Sequence, residues 1–409
     1  MRVSHLLMLA MLVPSMAKAG PLTFAQALDR ATATAPSAVA GRAGIDAARA
    51  DARAAGSLPD PKLGIGIDNF PISGPPAFTL DRDNMTMERI GIEQDIPNLA
   101  KRHAAQAQAG AAIGVAQASL AGRLRQARLG AGLAWIDLVF AERRLAAVDA
   151  VLASLRPLVG AAKSGVASGA SRLAQPIAVE QGIAALEDRH DTLTAEVASA
   201  RAELARWTGE PDPQPVGEPP DPDLDPAQLR AALDRNPDLL KADAMRRSAE
   251  ADVTAARAEK RPDFGVNLAY QHRDPLYGDM VSAGVTISLP LFAKHRQDPR
   301  IHAREAALAQ ADAEREDARR ALKAGLDSAL ADHVMHHAQW QRARDTLVPL
   351  AERRAKLETA SYAAGRAAIG DVVDAKVALA DAQLDALDRQ AEVARDGVRI
   401  RQTYGSAPQ

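Results

Sequence analysis

Residues 281–294 read VSAGVTISLPLFAK, and a near-copy, RIGIEQDIPNLAK, occupies residues 89–101. In both, apolar side chains alternate with small or polar ones as far as a proline, Pro290 or Pro97. A period of two puts the apolar residues on one face of a β-strand and the others on the opposite face. Two partner runs extend the pattern. In 62–69, Leu63, Ile65 and Ile67 oppose Lys62, Gly64, Gly66 and Asp68; in 264–272, Phe264, Val266, Leu268 and Tyr270 oppose Gly265, Asn267, Ala269 and Gln271. The spacing therefore predicts strands over 62–69, 87–95, 264–272 and 281–289. Each is close to the ~10 residues of a bilayer-spanning strand.

The sequence around these strands is of another kind. The chain has 409 residues, 47% hydrophobic but only 3% aromatic. Ala-rich, charged and aromatic-poor composition favours long helices packed side by side. In GVAQASLAGRLRQARLGAGLAWIDLVF, residues 114–140, small residues surround much of the helix and charges lie between them. A bundle core needs one wide apolar stripe. A single-layer cylinder, with a neighbour on each side and water inside and out, needs only narrow contacts.

The chain is internally duplicated. ALDR at 27–30 recurs at 232–235, LPD at 58–60 matches RPD at 261–263, and IPNLAK at 96–101 matches LPLFAK at 289–294. Gly169 matches Gly365, and WTG at 207–209 matches TYG at 403–405. The order is kept throughout. The seam is PDPQPVGEPPDPDLDP, residues 211–226, whose seven prolines exclude a helix and favour a stiff extended connection. Residues 20–210 and 227–409 then form two structural repeats with one grammar: a leading helix, two strands, a long helix, a turn and a return helix. Thr23 and Gln26 form a capping-box pattern for the first helix. The first long helix is expected over about 99–160, roughly 90 Å. Gly110, Gly114, Gly122, Gly130 and Gly132 within it allow close helix approach. Gly209 and Gly405 are expected to end the return helices, and Pro299 and Pro349 to bend or interrupt helices of the second half.

Residues 1–19 read as a secretory signal: Arg2, a short apolar run, and Ala17-Lys18-Ala19 as a small-x-small cleavage site. Its removal takes 50 Lys+Arg to 48 against 52 Asp+Glu, a net charge near −4, which does not suit a nucleic-acid partner. There is no cysteine, so disulfides, thiolate metal sites and a lipidated N-terminal cysteine are excluded. Beyond the signal, no unbroken run of about 18 apolar residues is present, so any membrane span must be built of strands. Four strands cannot close a barrel, and open edges are not tolerated in lipid. A membrane-spanning reading thus requires several copies to share one barrel of eight, twelve or sixteen strands. The same strands also fit two hairpins covering a soluble core.

This order of elements resembles the TolC family of outer-membrane efflux channels over essentially the whole mature chain. The most specific stretch is YAAGRAAIGDVVDAKVAL, residues 362–379, similar to the family's Tyr-x-x-Gly-x-x-x-x-x-Asp-Val-x-Asp-Ala pattern. The resemblance implies a mainly α fold in which long antiparallel hairpins form a periplasmic α-barrel. Four strands per chain would go to a trimeric, twelve-stranded transmembrane β-barrel. It also implies a homotrimer in outer-membrane lipid that docks a periplasmic adaptor and an inner-membrane RND pump. Residues 71–97 look more like the heavy-metal branch, which serves cobalt–zinc–cadmium or copper–silver pumps. A periplasmic coiled-coil adaptor or scaffold is the alternative.

Asp371 and Asp374 lie three apart on one face of a predicted helix start. They suit a helix N-terminus, and in a trimer they would bring six carboxylates toward one axis, favouring cations. The resemblance places them at the constricted periplasmic entrance. Tyr362 and Arg366 flank the turn at Gly365 and could hold a closed gate by hydrogen bonds. His333, His336 and His337 in HVMHH share a helix face that suits a borderline metal, or a solvated surface. Met85, Met87 and Met280 sit near strand ends, where thioethers suit Cu(I) or Ag(I), or simply pack. No phosphate loop, dinucleotide fingerprint, nucleophile elbow or His-Glu-x-x-His motif is present, so neither a cofactor nor enzymatic activity is expected.

Overall fold

The computed structural model describes residues 20–169 and 172–405. The expected signal segment, 1–19, lies outside them. In chain order the elements are β1 (Pro21–Leu22), α1 (Phe24–Thr34), α2 (Pro36–Ala54), β2 (Lys62–Asp68), β3 (Met87–Ile96), α3 (Leu99–Ala167), α4 (Gln175–Thr208), β4 (Gln214–Pro215), α5 (Pro226–Ala232), α6 (Pro237–Ala258), β5 (Asp263–His272), β6 (Met280–Ser288), α7 (Gln297–Arg342), α8 (Val348–Ala363) and α9 (Ile369–Tyr404). They fall into two compact units, each drawing on both halves of the sequence.

The first unit comprises residues up to 35, 126–225 and 328–403. The Thr23–Gln26 capping box starts α1 as expected. One core cluster gathers Trp135, Phe140, Leu204 and Val398 with Leu22; a second gathers Leu155, Leu186, Ile369 and Val373. Gly130 and Gly132 permit close approach here: a Cβ on Gly130 would overlap the Trp207 ring, and one on Gly132 would lie 2.9 Å from Val398. Gly209 caps α4 in the left-handed conformation, φ 71°, and α9 ends at Tyr404, next to Gly405.

The Pro-rich seam is more than a spacer. Gln214–Pro215 pairs in parallel with Pro21–Leu22. The Leu22 carbonyl accepts from Val216 N at 3.1 Å and from the Trp135 indole at 2.9 Å. Arg401 donates to the carbonyls of Asp221 and Asp223. Extended PPII backbone leaves its carbonyls free for such contacts, and they fasten the seam to the first unit.

The second unit comprises residues 36–125, 226–327 and 404 onward. Its centre is a four-stranded antiparallel sheet of order β2-β3-β5-β6. The strands match their sequence-expected limits to within a residue at either end. Asn98 explains how a strand passes straight into α3: its side chain accepts from Lys101 N at 3.0 Å as a helix cap, and its amide donates to Asp263 at 2.8 Å. Lys101 closes the corner with an ion pair to Asp263. The equivalent of Asn98 in the second repeat is Leu291, which cannot cap. There Pro290 does not lead directly into a helix: a 3₁₀ turn, Ala293–His295, intervenes and α7 begins at Gln297.

Several helix expectations are corrected. α3 runs on to Ala167 with Pro157 inside it. Pro299 does not interrupt α7 but sits in its first turn, where its missing N–H would have no intrahelical partner anyway. Pro349 does mark a break: a π-helical turn, Ala343–Leu347, separates α7 from α8. Among the described residues one helix, α3, holds a stretch long and apolar enough to cross a bilayer, which a search for unbroken apolar runs passes over.

Candidate functional site

The sheet itself has the most unusual surface. The register places Ile65, Ile90, Tyr270 and Val281 in one row across the four strands. Leu63, Ile92, Leu268 and Ala283 form the next row, and Val266 pairs with Val285 beyond it. All these rows share one face, and their large apolar members are solvent-exposed, Ile65 by 77%, Val285 by 68% and Leu268 by 58%. The opposite face carries Gly66, Arg89 and Gln271 in one row and Glu93, Asn267 and Gly284 in another. Gln271 donates to Ser282 at 2.7 Å on that side. β2 pairs only with β3 and β6 only with β5, so both outer strands keep an unpaired edge among the described residues. A hydrophobic sheet face in water is an aggregation hazard, and so are open edges. Both are resolved if the face meets lipid and the edges meet copies of the same sheet.

The residues expected at a gate lie together at the α8–α9 turn of the first unit. Gly365 adopts φ 70°, and Arg366 N donates to Ser361 O at 2.9 Å while Gly365 N donates to Tyr362 O at 2.9 Å. This pair of bonds closes α8 in a Schellman-type end, where only glycine takes the left-handed turn without strain. The Tyr362 ring packs on the second core cluster. Arg366 is exposed. α9 begins by burying Ile369, Val372, Val373 and Ala375; that spacing leaves Asp371 and Asp374 exposed on the outer face. Asp371 accepts from Ala368 N at 2.9 Å, the helix-start role that its position suits. Asp374 has no side-chain partner among the described residues. The four side chains thus share one end of one hairpin, and the acids point away from the hairpin's own core.

The histidines separate. His336 Nδ1 lies 2.7 Å from Asp396 Oδ2, and His333 Nδ1 lies 3.9 Å from the same oxygen. His337 instead packs edge-on against Trp340, ring centroids 5.5 Å apart. Glu392 joins the group: one donor atom each from His336, Glu392 and Asp396 fall within 4.8 Å of one another. Local spacing could not show this, because both acids arrive from α9, more than fifty residues later; an i, i+4 acid pair on a helix was the available signal. Burial pushes the His333 imidazole below its usual range, against the pull of Asp396.

The methionines do not form one cluster by register. Met87 pairs with Asp68 and Met280 with Gln271, on strands two apart. Met85 is exposed in the loop before β3, its N–H bonded to Asp83 at 2.8 Å.

Solved structures of membrane proteins share this arrangement. Residues 229–406 match the family model for outer membrane efflux proteins. The structure aligns with that of a membrane protein from Pseudomonas aeruginosa at TM-score 0.80 and 18% identity, covering 94% of this chain and 90% of that one. For CusC the values are 0.78 and 15%, covering 94% and 92%. For the outer membrane protein VceC from Vibrio cholerae they are 0.76 and 19%, covering 94% and 96%. No curated protein matches the sequence. The fold is therefore that of a TolC-like channel protomer, as the sequence resemblance implied. The matched segment, residues 229–406, lies within the second repeat.

Proposed function

We propose that the chain is the outer-membrane duct of a tripartite efflux system. Three copies place their sheets edge to edge in a twelve-stranded barrel, and their helical hairpins form a tunnel in the periplasm. The duct is passive; an inner-membrane RND-type pump supplies the work and a periplasmic adaptor joins the two. The observation that carries this reading is the sheet: four antiparallel strands with one exposed apolar face, one small and polar face, and two unpaired edges. A soluble scaffold gives no account of that face.

In the trimer, Asp371 and Asp374 from three copies ring the periplasmic entrance, with Tyr362 and Arg366 at the adjoining turn. Crowded carboxylates favour cations at the constriction. The cargo reading is heavy-metal cations. It is supported by the likeness of residues 71–97 to the heavy-metal branch and by exposed thioethers at Met85 and Met280. The test is conductance of the purified protein in planar bilayers. Single-channel steps with cation selectivity are expected, together with loss of metal tolerance in cells lacking the protein. Absence of any conductance under conditions that fully insert the protein would refute the duct; unchanged tolerance to zinc, copper, silver, cobalt and cadmium would refute the cargo alone.

A further inference from the structure

We propose that His336, Glu392 and Asp396, with the buried Nδ1 of His333 beside them, form a resident site for one divalent metal ion of the zinc class, joining α7 to α9 within the first unit.

His333 is 8% exposed, and its Nδ1 is buried without a hydrogen-bond partner among the described residues. That nitrogen faces the Asp396 carboxylate, itself 5% exposed, across 3.9 Å. At 3.9 Å the two atoms do not bond directly, and the same carboxylate oxygen lies 2.7 Å from His336 Nδ1. A cation seated among these atoms would give the buried His333 nitrogen the partner it lacks.

The surroundings are arranged as a metal site requires. His333 and His336 stand three apart on α7, and Glu392 and Asp396 four apart on α9, so each helix offers two donors on one face. The far oxygens of both acids are already held: Arg399 donates to Asp396 Oδ1 at 3.1 Å, and Arg395 donates to Glu392 Oε2 at 3.0 Å. These bonds orient the two carboxylates beside His336, the usual way in which outer partners fix metal ligands. An imidazole with two carboxylates, and a second imidazole adjoining, suits Zn²⁺ and its neighbours; calcium and magnesium prefer oxygen alone. The site lies seven residues before the π-helical turn Ala343–Leu347, so an ion there fastens the stretch of α7 that leads into that break. The site is separate from the α8–α9 turn, and it does not depend on what the duct carries.

The experiment is calorimetric titration of the full-length, detergent-purified, chelator-stripped protein with Zn²⁺, with thermal melting in parallel. One Zn²⁺ per chain is expected, with a higher Tm at saturation. His336→Ala should abolish that binding. Glu392→Gln, which leaves the buried Asp396–Arg399 pair intact, should weaken it by about tenfold or more. His337→Ala, outside the donor set, should bind as the wild type does. Absence of stoichiometric binding in the wild type would overturn the site. So would wild-type affinity in both His336→Ala and Glu392→Gln, since the metal would then sit on exposed histidines elsewhere.

Discussion

The strongest consequence of the sheet concerns Leu268. It lies near the middle of β5, with Ile92 opposite it on β3 and Ala283 on β6, and it is 58% exposed. If that face met water, Leu268→Arg would remove an exposed apolar side chain and keep the new charge solvated. The cost would be within about 0.5 kcal/mol of zero, as for surface substitutions generally. If the face meets the bilayer midplane, the arginine costs about 2–4 kcal/mol. That range is a roughly 30- to 700-fold change in the folding equilibrium per copy. Thr286→Arg is the control. Thr286 is also exposed and lies one strand away, but on the opposite face, paired with Gly265. Both variants would be unfolded with urea from lipid vesicles, and membrane-inserted yield would be measured in cells. The expected result is a large loss for Leu268→Arg and a small one for Thr286→Arg. Equal behaviour of the two, in either direction, would refute the assignment of faces.

Other substitutions test other parts of the account. Asp371→Asn with Asp374→Asn should reduce cation selectivity of the single-channel current and leave assembly intact, read in planar bilayers and by native mass. Gly130→Ala should destabilise the first unit by about 1–3 kcal/mol, because its Cβ would overlap the Trp207 ring. Gly160→Ala, in the same helix with nothing within 4 Å, should stabilise it by about 0.5–1 kcal/mol; thermal melts of the two should move in opposite directions. Trp135→Phe removes the buried bond to the Leu22 carbonyl. It should cost about 1–3 kcal/mol and loosen β1 from the bundle, visible as faster amide exchange at Val216.

Much of this architecture could be read in the sequence because it rests on short-range rules. Alternation alone located strands such as 281–289, observed at Met280–Ser288, since the period of two is a direct image of the pleat. The Thr23 capping box and the Gly209 end were legible because caps act within one turn. What stayed hidden depends on partners far along the chain. The pairing of Gln214–Pro215 with Pro21–Leu22 involves two residues on each side, too few for a pattern. The late start of α7 follows from a missing cap at Leu291, a single side chain set against an otherwise faithful repeat. At the candidate sites the hairpin end was readable as a local motif. The metal-type cluster was half readable: HVMHH marked α7, while Glu392 and Asp396 were brought to it only by helix packing. The glycines divide in the same way. Gly130 and Gly132 meet side chains within this chain, whereas a Cβ on Gly110, Gly114 or Gly122 would meet nothing within 4 Å among the described residues.

The central claim is that a single chain supplies four strands to a barrel closed by others. The most direct test is the mass of the native complex, measured by light scattering with the detergent contribution subtracted, after separating outer membrane from soluble periplasm. The account predicts a particle of three 43.2 kDa chains, less any cleaved signal, recovered from the outer membrane only with detergent. A soluble monomer or dimer in the periplasmic fraction would contradict it.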